Sequence, residues 1–156
     1  ALLTKQKANI KKVKVSYHAI ELYPIKKNVI SKLNFTDLIG MHQQELLDIH
    51  ICDWGKHNII DKYFNLRKDC IDLESFTSNT KFDIIYFDAF SPEKQPELWS
   101  EKIFRKMFDF LKADGFLVTY CAKGIVKRSM KKVGFDIEVL DGPPGKRQMT
   151  KANKTS

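Results

Sequence analysis

Three acidic residues stand where apolar segments run out, and they define the chemistry open to this chain. Glu21 follows the segment 13–20, Asp69 lies just past 60–66, and Asp88 closes 82–87. Open α/β sheets bind ligands beyond the carboxyl ends of their strands, so these are the positions to examine first. An acid at Glu21 can accept hydrogen bonds from ribose hydroxyls, and one at Asp69 from an adenine amino group. Asp72 and Glu74 are rivals of Asp69, and the plain alternatives are a surface glutamate and a solvated loop acid. Asp88 opens the stretch Asp88-Ala89-Phe90-Ser91-Pro92 and projects a carboxylate into the ligand crevice. Phe90 can stack on a flat ring, and Pro92 stiffens the loop. A functional Asp88 is favoured over a helix-approach aspartate, because a charge beside a buried strand needs a partner.

Basic residues form a second constellation. Lys123, Lys127 and Arg128 lie near or on the helix that follows segment 116–120, and Lys146-Arg147 form another cluster. Both could hold phosphates on the same face, with ordinary surface lysine as the alternative. The net charge is +8, unevenly spread. Residues 1–36 carry eight lysines against Glu21 alone, residues 37–101 carry thirteen acids against six bases, and residues 102–156 carry thirteen bases against five acids. Two basic flanks around an acidic middle favour a polyanion such as nucleic acid, and a lysine-rich solvated surface competes with that reading. Three cysteines without a C-x-x-C exclude a disulfide scaffold and point to a reducing cytoplasm. Cys121 lies near the crevice without a legible histidine partner, which argues against a cysteine nucleophile. The four histidines lack metal-ligand spacing, so no metal is expected.

The elements that must position these residues alternate between strand and helix. Strands are expected over 13–20, 60–66, 82–87, 116–120 and 135–140, with a last short one over 147–151. Segment 82–87 is the strongest, nearly continuous in apolar residues, as suits a parallel strand covered on both faces. Helices are expected over 25–33, after Thr36 as N-cap with Leu38, Ile39, Leu46 and Leu47 as its stripe, over 96–111 with Gly115 as its stop, and over 123–133 closed by Gly134. Trp99 reads as packing for the helix 96–111. Gly142-Pro143-Pro144-Gly145 is a turn. The alternation implies a three-layer α/β domain with a mostly parallel sheet. The length of 156 residues favours one domain, and no apolar run reaches the ~20 residues of a membrane span.

Three stretches are more specific. Residues 82–99 read FDIIYFDAFSPEKQPELW, residues 118–128 read VTYCAKGIVKR, and Gly134-Phe135 is followed by Gly142-Pro-Pro-Gly-Lys-Arg-Gln-Met149. The Asp88 loop resembles the Asp/Asn-Pro-Pro-aromatic loop of methyltransferases that act on amines. Together the stretches resemble the MnmC-type methyltransferase family of bacterial 5-methylaminomethyl-2-thiouridine synthesis in tRNA, particularly its stand-alone, single-domain form. The resemblance implies a Rossmann-like fold, S-adenosylmethionine as cofactor, and methylation of the primary amine of 5-aminomethyl-(2-thio)uridine at the tRNA wobble position. It implies that Glu21, Asp69 and Asp88 contact the cofactor and that Asp88 is catalytic. It matches Lys123, Lys127, Arg128, Lys146 and Arg147 to basic stretches beside the active-site mouth that would contact tRNA, and Phe90 is the candidate to stack on a splayed base of the anticodon loop.

The chain departs from the family's pattern at two places. Lys68-Asp69-Cys70 lacks the glycine of the family's Gly-Asp-Ala stretch, and the first glycine of the chain is Gly40, so no glycine-rich cofactor loop precedes Glu21. The expectation is an N-terminally truncated methyltransferase domain over 1–152, lacking the first strand, with a tail over 153–156. A cytoplasmic bacterial enzyme served by a separate oxidase that supplies the aminomethyl substrate completes the picture. The rivals are a non-catalytic RNA-binding module on the same fold, a methyltransferase for another amine, and a nicotinamide-dependent dehydrogenase, which would have no use for an amine-orienting Asp88.

Overall fold

The computed structural model describes residues 1–155 and divides into two compact units, Ala1–Phe76 and a second from Thr77 onward. The first contains α1 (Leu2–Lys11), β1 (Val15–Ile20), α2 (Lys27–Ile30), α3 (Phe35–Ile39), α4 (Gln43–Ile51), β2 (His57–Ile59) and β3 (Phe64–Asp69). The second contains β4 (Phe82–Tyr86), a 3-10 turn (Pro96–Trp99), α5 (Glu101–Phe110), β5 (Leu111–Thr119), α6 (Gly124–Lys132), β6 (Asp136–Asp141) and β7 (Gln148–Asn153).

In the first unit the strand order is β1-β3-β2, with β1 parallel and β2 antiparallel to β3. Alternation along β3 buries Phe64, Leu66 and Lys68, and the two apolar side chains join Ala8 of α1 and Ile49 of α4 in the core. Lys68 is a buried cation with a defined role. Its Nζ donates to the carbonyls of Ile49 (3.0 Å) and His50 (2.7 Å) and lies 4.8 Å from the centre of the Trp54 ring. It thereby satisfies carbonyls at the C-terminal end of α4, where a positive charge also favours the helix dipole. Lys5, almost buried on α1, reaches Glu45 of α4 at 2.6 Å and Asp61 at 3.2 Å. The helix expected after Thr36 is two helices. Gly40 at φ 63° ends α3 in the left-handed region, and Thr36 lies inside α3 with its hydroxyl on Gln43 Oε1.

In the second unit the order is β4-β5-β7-β6. Only β4 and β5 pair in parallel; β5–β7 and β6–β7 are antiparallel. Across the two sheets the pairing is therefore mixed, with two parallel and three antiparallel neighbours, because the turn after β6 folds β7 straight back on it. The expected helix over 96–111 is a 3-10 turn followed by α5. Ser100 separates them, its Oγ accepting from the Ile103 amide at 3.4 Å. Ile103, Phe104 and Met107 of α5 are buried, as are Val126 and Met130 of α6 and Leu117 of β5. Gly115 lies within β5 rather than ending a helix. The strand β7 runs to Asn153, and Lys154 donates to the carbonyls of Phe108 and Leu111, so the segment expected as a tail is tied to the sheet through residue 154. Ser156 lies outside the described residues. No described helix is long and apolar enough to cross a membrane.

Candidate functional site

In the first unit, the parallel register of β1 and β3 puts Ile20 opposite Asp69, and the Glu21 amide donates to the Asp69 carbonyl at 3.1 Å. Two of the candidate acids thus stand at the same carboxyl end of adjacent parallel strands. Glu21 is exposed, and its Oε1 accepts from the Tyr23 amide at 2.8 Å, a local turn that orients the carboxylate. Asp69 is the last residue of β3 rather than a loop residue, and its side chain is only 16% exposed. Its Oδ2 receives both Arg67 Nε (2.9 Å) and His18 Nε2 (2.7 Å). The Arg67 guanidinium, against some desolvation and with help from His18, holds the Asp69 carboxyl below its ordinary value. Both donors reach one oxygen, which leaves Oδ1 without a hydrogen bond among the described residues. His18 meets the edge of Phe76 at 5.1 Å between ring centres. Carboxylate acceptors of this kind suit the hydroxyls and amino group of an adenosine. His18 and Arg67 were not foreseen. Arg67 lies two residues before Asp69 on the same face of β3, whereas His18 reaches it only through the β1–β3 register, which is invisible in sequence.

In the second unit, Asp88 lies just beyond β4, exposed, with no hydrogen bond to its carboxylate among the described residues. Phe90 is 69% exposed, so its ring is free to meet another flat ring. The loop backbone is closely held. The Phe87 amide donates to the Val118 carbonyl at 2.8 Å. The Tyr120 hydroxyl donates to the Ala89 carbonyl at 2.9 Å, and Trp99 Nε1 donates to the Phe90 carbonyl at 2.7 Å. The amides of Lys94 and Gln95 close on the Ser91 carbonyl. Trp99 is more than helix packing, and Tyr120, at the carboxyl end of β5, had the strand-end position that could have drawn attention to it. Burial first, then Cys121 and Asp88, pushes the Tyr120 phenol above its ordinary value, so it stays a donor at neutral pH.

The basic candidates divide. Lys123, the N-cap of α6, forms an ion pair with Glu93, just past Pro92. Lys146 lies over the Tyr120 ring, 4.0 Å from its centre. These two therefore come together with the Asp88 loop. Lys127 and Arg128 stand in the first half of α6, and Arg147 is exposed beside Lys146. The turn that carries Lys146 and Arg147 needs a glycine at 142, since a Cβ there would strike the Lys146 carbonyl. An open depression in the first unit, lined by Asp48, Cys52, His57 and Ile60 among others, contains none of the candidate residues.

Comparison with known proteins adds an independent line. Residues 18–155 match the model of a family described as S-adenosyl-L-methionine-dependent methyltransferase. A Campylobacter fetus protein named "tRNA 5-methylaminomethyl-2-thiouridine biosynthesis bifunctional protein MnmC" is 30% identical over 93% of this chain and 25% of its own length. A namesake from Marinomonas is 30% identical over 85% of this chain and 20% of its own. The chain thus spans a quarter or less of these relatives. Among solved structures, MNMC2 from Aquifex aeolicus superimposes with TM-score 0.67 at 19% identity, over 94% of this chain and 45% of that one. A methyltransferase from Pyrococcus furiosus superimposes with TM-score 0.58 at 14% identity, over 99% and 69%. At such identities these two structures speak for the fold.

Proposed function

This chain belongs to the S-adenosyl-L-methionine-dependent methyltransferase family, and from that premise we propose that it serves methylation of the aminomethyl nitrogen of 5-aminomethyl-(2-thio)uridine at the tRNA wobble position. The observation that carries the proposal is the Asp88 loop: an exposed carboxylate, without a hydrogen-bonded partner among the described residues, on a backbone held at three successive carbonyls. The names of the curated relatives support the tRNA assignment.

S-adenosylmethionine supplies, when bound, a methyl group already activated on a sulfonium, so the protein's task is placement. Glu21 would accept from the ribose hydroxyls and Asp69, through Oδ1, from the adenine amino group. Asp88 would accept a hydrogen bond from the substrate amine, turn its lone pair toward attack, and draw off the proton released as the new N–C bond forms. Orienting the amine in this way is a positioning effect, and positioning can be worth effective molarities of ~10⁵ M or more. Phe90 would stack on the splayed wobble base, as aromatic side chains do with unpaired RNA bases. Lys127, Arg128 and Arg147 would meet backbone phosphates, with Lys123 and Lys146 at the edge of the Asp88 loop. The amine attacks only when neutral, so the rate should climb with pH until that proton is lost.

The test is transfer of labelled methyl from S-adenosylmethionine to tRNA carrying 5-aminomethyl-2-thiouridine, beside tRNA lacking the aminomethyl group. Label on the first tRNA alone is expected. Binding of tRNA without cofactor binding or transfer would replace this reading with an RNA-binding module. Transfer to free amines but not to tRNA would replace it with a small-molecule methyltransferase.

A further inference from the structure

The Asp88 loop is a short irregular segment that leaves its acidic and aromatic side chains in solvent, yet its backbone is tied down more firmly than exposure alone would suggest. Its two middle carbonyls, Ala89 and Phe90, are adjacent in sequence and each accepts a hydrogen bond from a different aromatic side chain, Tyr120 Oη at 2.9 Å and Trp99 Nε1 at 2.7 Å. The donors come from separate elements, Tyr120 just beyond β5 and Trp99 at the end of the 3-10 turn, and they support one another. Their rings meet edge to face at 6.1 Å. Trp99 in turn packs edge to face on Phe87 at 5.2 Å, and on Phe104 at 6.3 Å, in the core. Trp99 is 6% exposed, so its indole N–H has little access to water. A buried N–H without an acceptor would cost about 1–3 kcal/mol, which favours the loop conformation that offers one.

Fixing these two carbonyls fixes the peptide planes 89–90 and 90–91, which flank Phe90. The direction in which Phe90 leaves the backbone is then set by Tyr120 and Trp99, and Asp88 is held between this clamp and the Phe87 amide, which donates to the Val118 carbonyl at 2.8 Å. We propose that Trp99 and Tyr120 are positioning residues, a pair of aromatic donors that hold the loop so that the Asp88 carboxylate and the Phe90 ring stand ready for substrate. This rests on the methyl-transfer reading for its consequence, while the clamp itself is a property of the second unit.

The experiment uses the full chain and the near-isosteric changes Tyr120→Phe and Trp99→Phe, which keep a ring and delete the donor. A packing control, Phe135→Leu, removes ring volume from the core of the same unit, where Phe135 packs on Phe108, away from the loop carbonyls and their donors. Peptide-level amide exchange over 88–93 is read beside single-turnover methyl transfer and tRNA affinity. Exchange over the loop should quicken in both donor variants and stay near wild type in Phe135→Leu. Transfer should fall by roughly tenfold to a hundredfold, with tRNA affinity held within about twofold, the pattern of misplacement rather than lost binding. Unchanged loop exchange in Tyr120→Phe would overturn the proposal. So would quickened exchange with an unaltered transfer rate, or an equal rate loss in Phe135→Leu. A wild-type chain that transfers nothing, while the donor variants still loosen the loop, would sink the methyl-transfer reading and leave the clamp standing.

Discussion

The acids of the first unit and the acid of the second are held in opposite ways. Asp69 is gripped through its side chain, with Arg67 and His18 on one oxygen and most of the group out of water. Glu21 is turned by the Tyr23 amide. Asp88 has no such hydrogen-bonded partner among the described residues, and the protein holds the backbone around it instead. Under the proposed function, the difference separates two tasks. An acid that recognises a fixed ligand gains from side-chain partners that preset its charge and direction. An acid that must accept a proton and a changing hydrogen bond gains from having its oxygens free on a rigid mount.

The largest effect that would sharpen this comparison is Asp88→Ala. Single-turnover transfer should drop by about 10²–10⁴-fold while tRNA affinity is nearly intact. Undiminished transfer would make Asp88 an ordinary loop acid. Next comes Phe64→Ala in the first unit, fully buried on β3. It should cost about 3–5 kcal/mol, read as a shift of the urea midpoint. If the two compact units unfold separately, only the transition of the first should move, and a single shifted transition would show that they unfold together.

Lys5→Ala should cost about 2 kcal/mol, since it strips the cation from Glu45 and Asp61, whose carboxylates keep partial access to water. Burial alone would lower the Lys5 amine, but its hydrogen bonds to Glu45 and Asp61 hold it above its ordinary value. The stability from this raised group is complete below about pH 10 and fades as pH rises through the folded value. The smallest effect is an acid limb. Asp69 is held low chiefly by Arg67, so its contribution is present above about pH 4 and fades as pH falls through the folded value. Asp69→Asn should flatten that limb in urea titrations below pH 4, and an unchanged limb would contradict the side-chain grip described for the first unit.

Much of this was legible in the sequence. Segment 82–87 announced β4 by its apolar run, Gly134 marked the end of α6, and Gly142-Pro143-Pro144-Gly145 marked the turn before β7. The family resemblance from the stretches around Asp88, 118–128 and 142–149 agrees with the matched family and with the names of the relatives. What escaped had physical reasons. The strand β2 is three residues long, too short for any period to register. Gly40 and Ser100 each separate runs of apolar residues that lie close together in sequence, so each pair of elements reads as one helix. The strand β5 starts at Leu111, but Lys112 to Asp114 carry no strand signature. The antiparallel return of β7 was hidden because strand-helix alternation implies crossovers and says nothing of the final hairpin. At the site, Asp88 and Phe90 could be found because their side chains carry the chemistry. Trp99 and Tyr120 act on backbone carbonyls, which every residue has.

The most direct test of the central claim compares Asp69→Asn with Asp88→Ala in single-turnover methyl transfer as S-adenosylmethionine is raised to saturation. The account predicts that Asp69→Asn needs more cofactor and then regains the wild-type rate, whereas Asp88→Ala stays slow at every concentration. Recovery of Asp88→Ala at saturating cofactor, or an Asp69→Asn rate that never recovers, would contradict the division of labour between the two units.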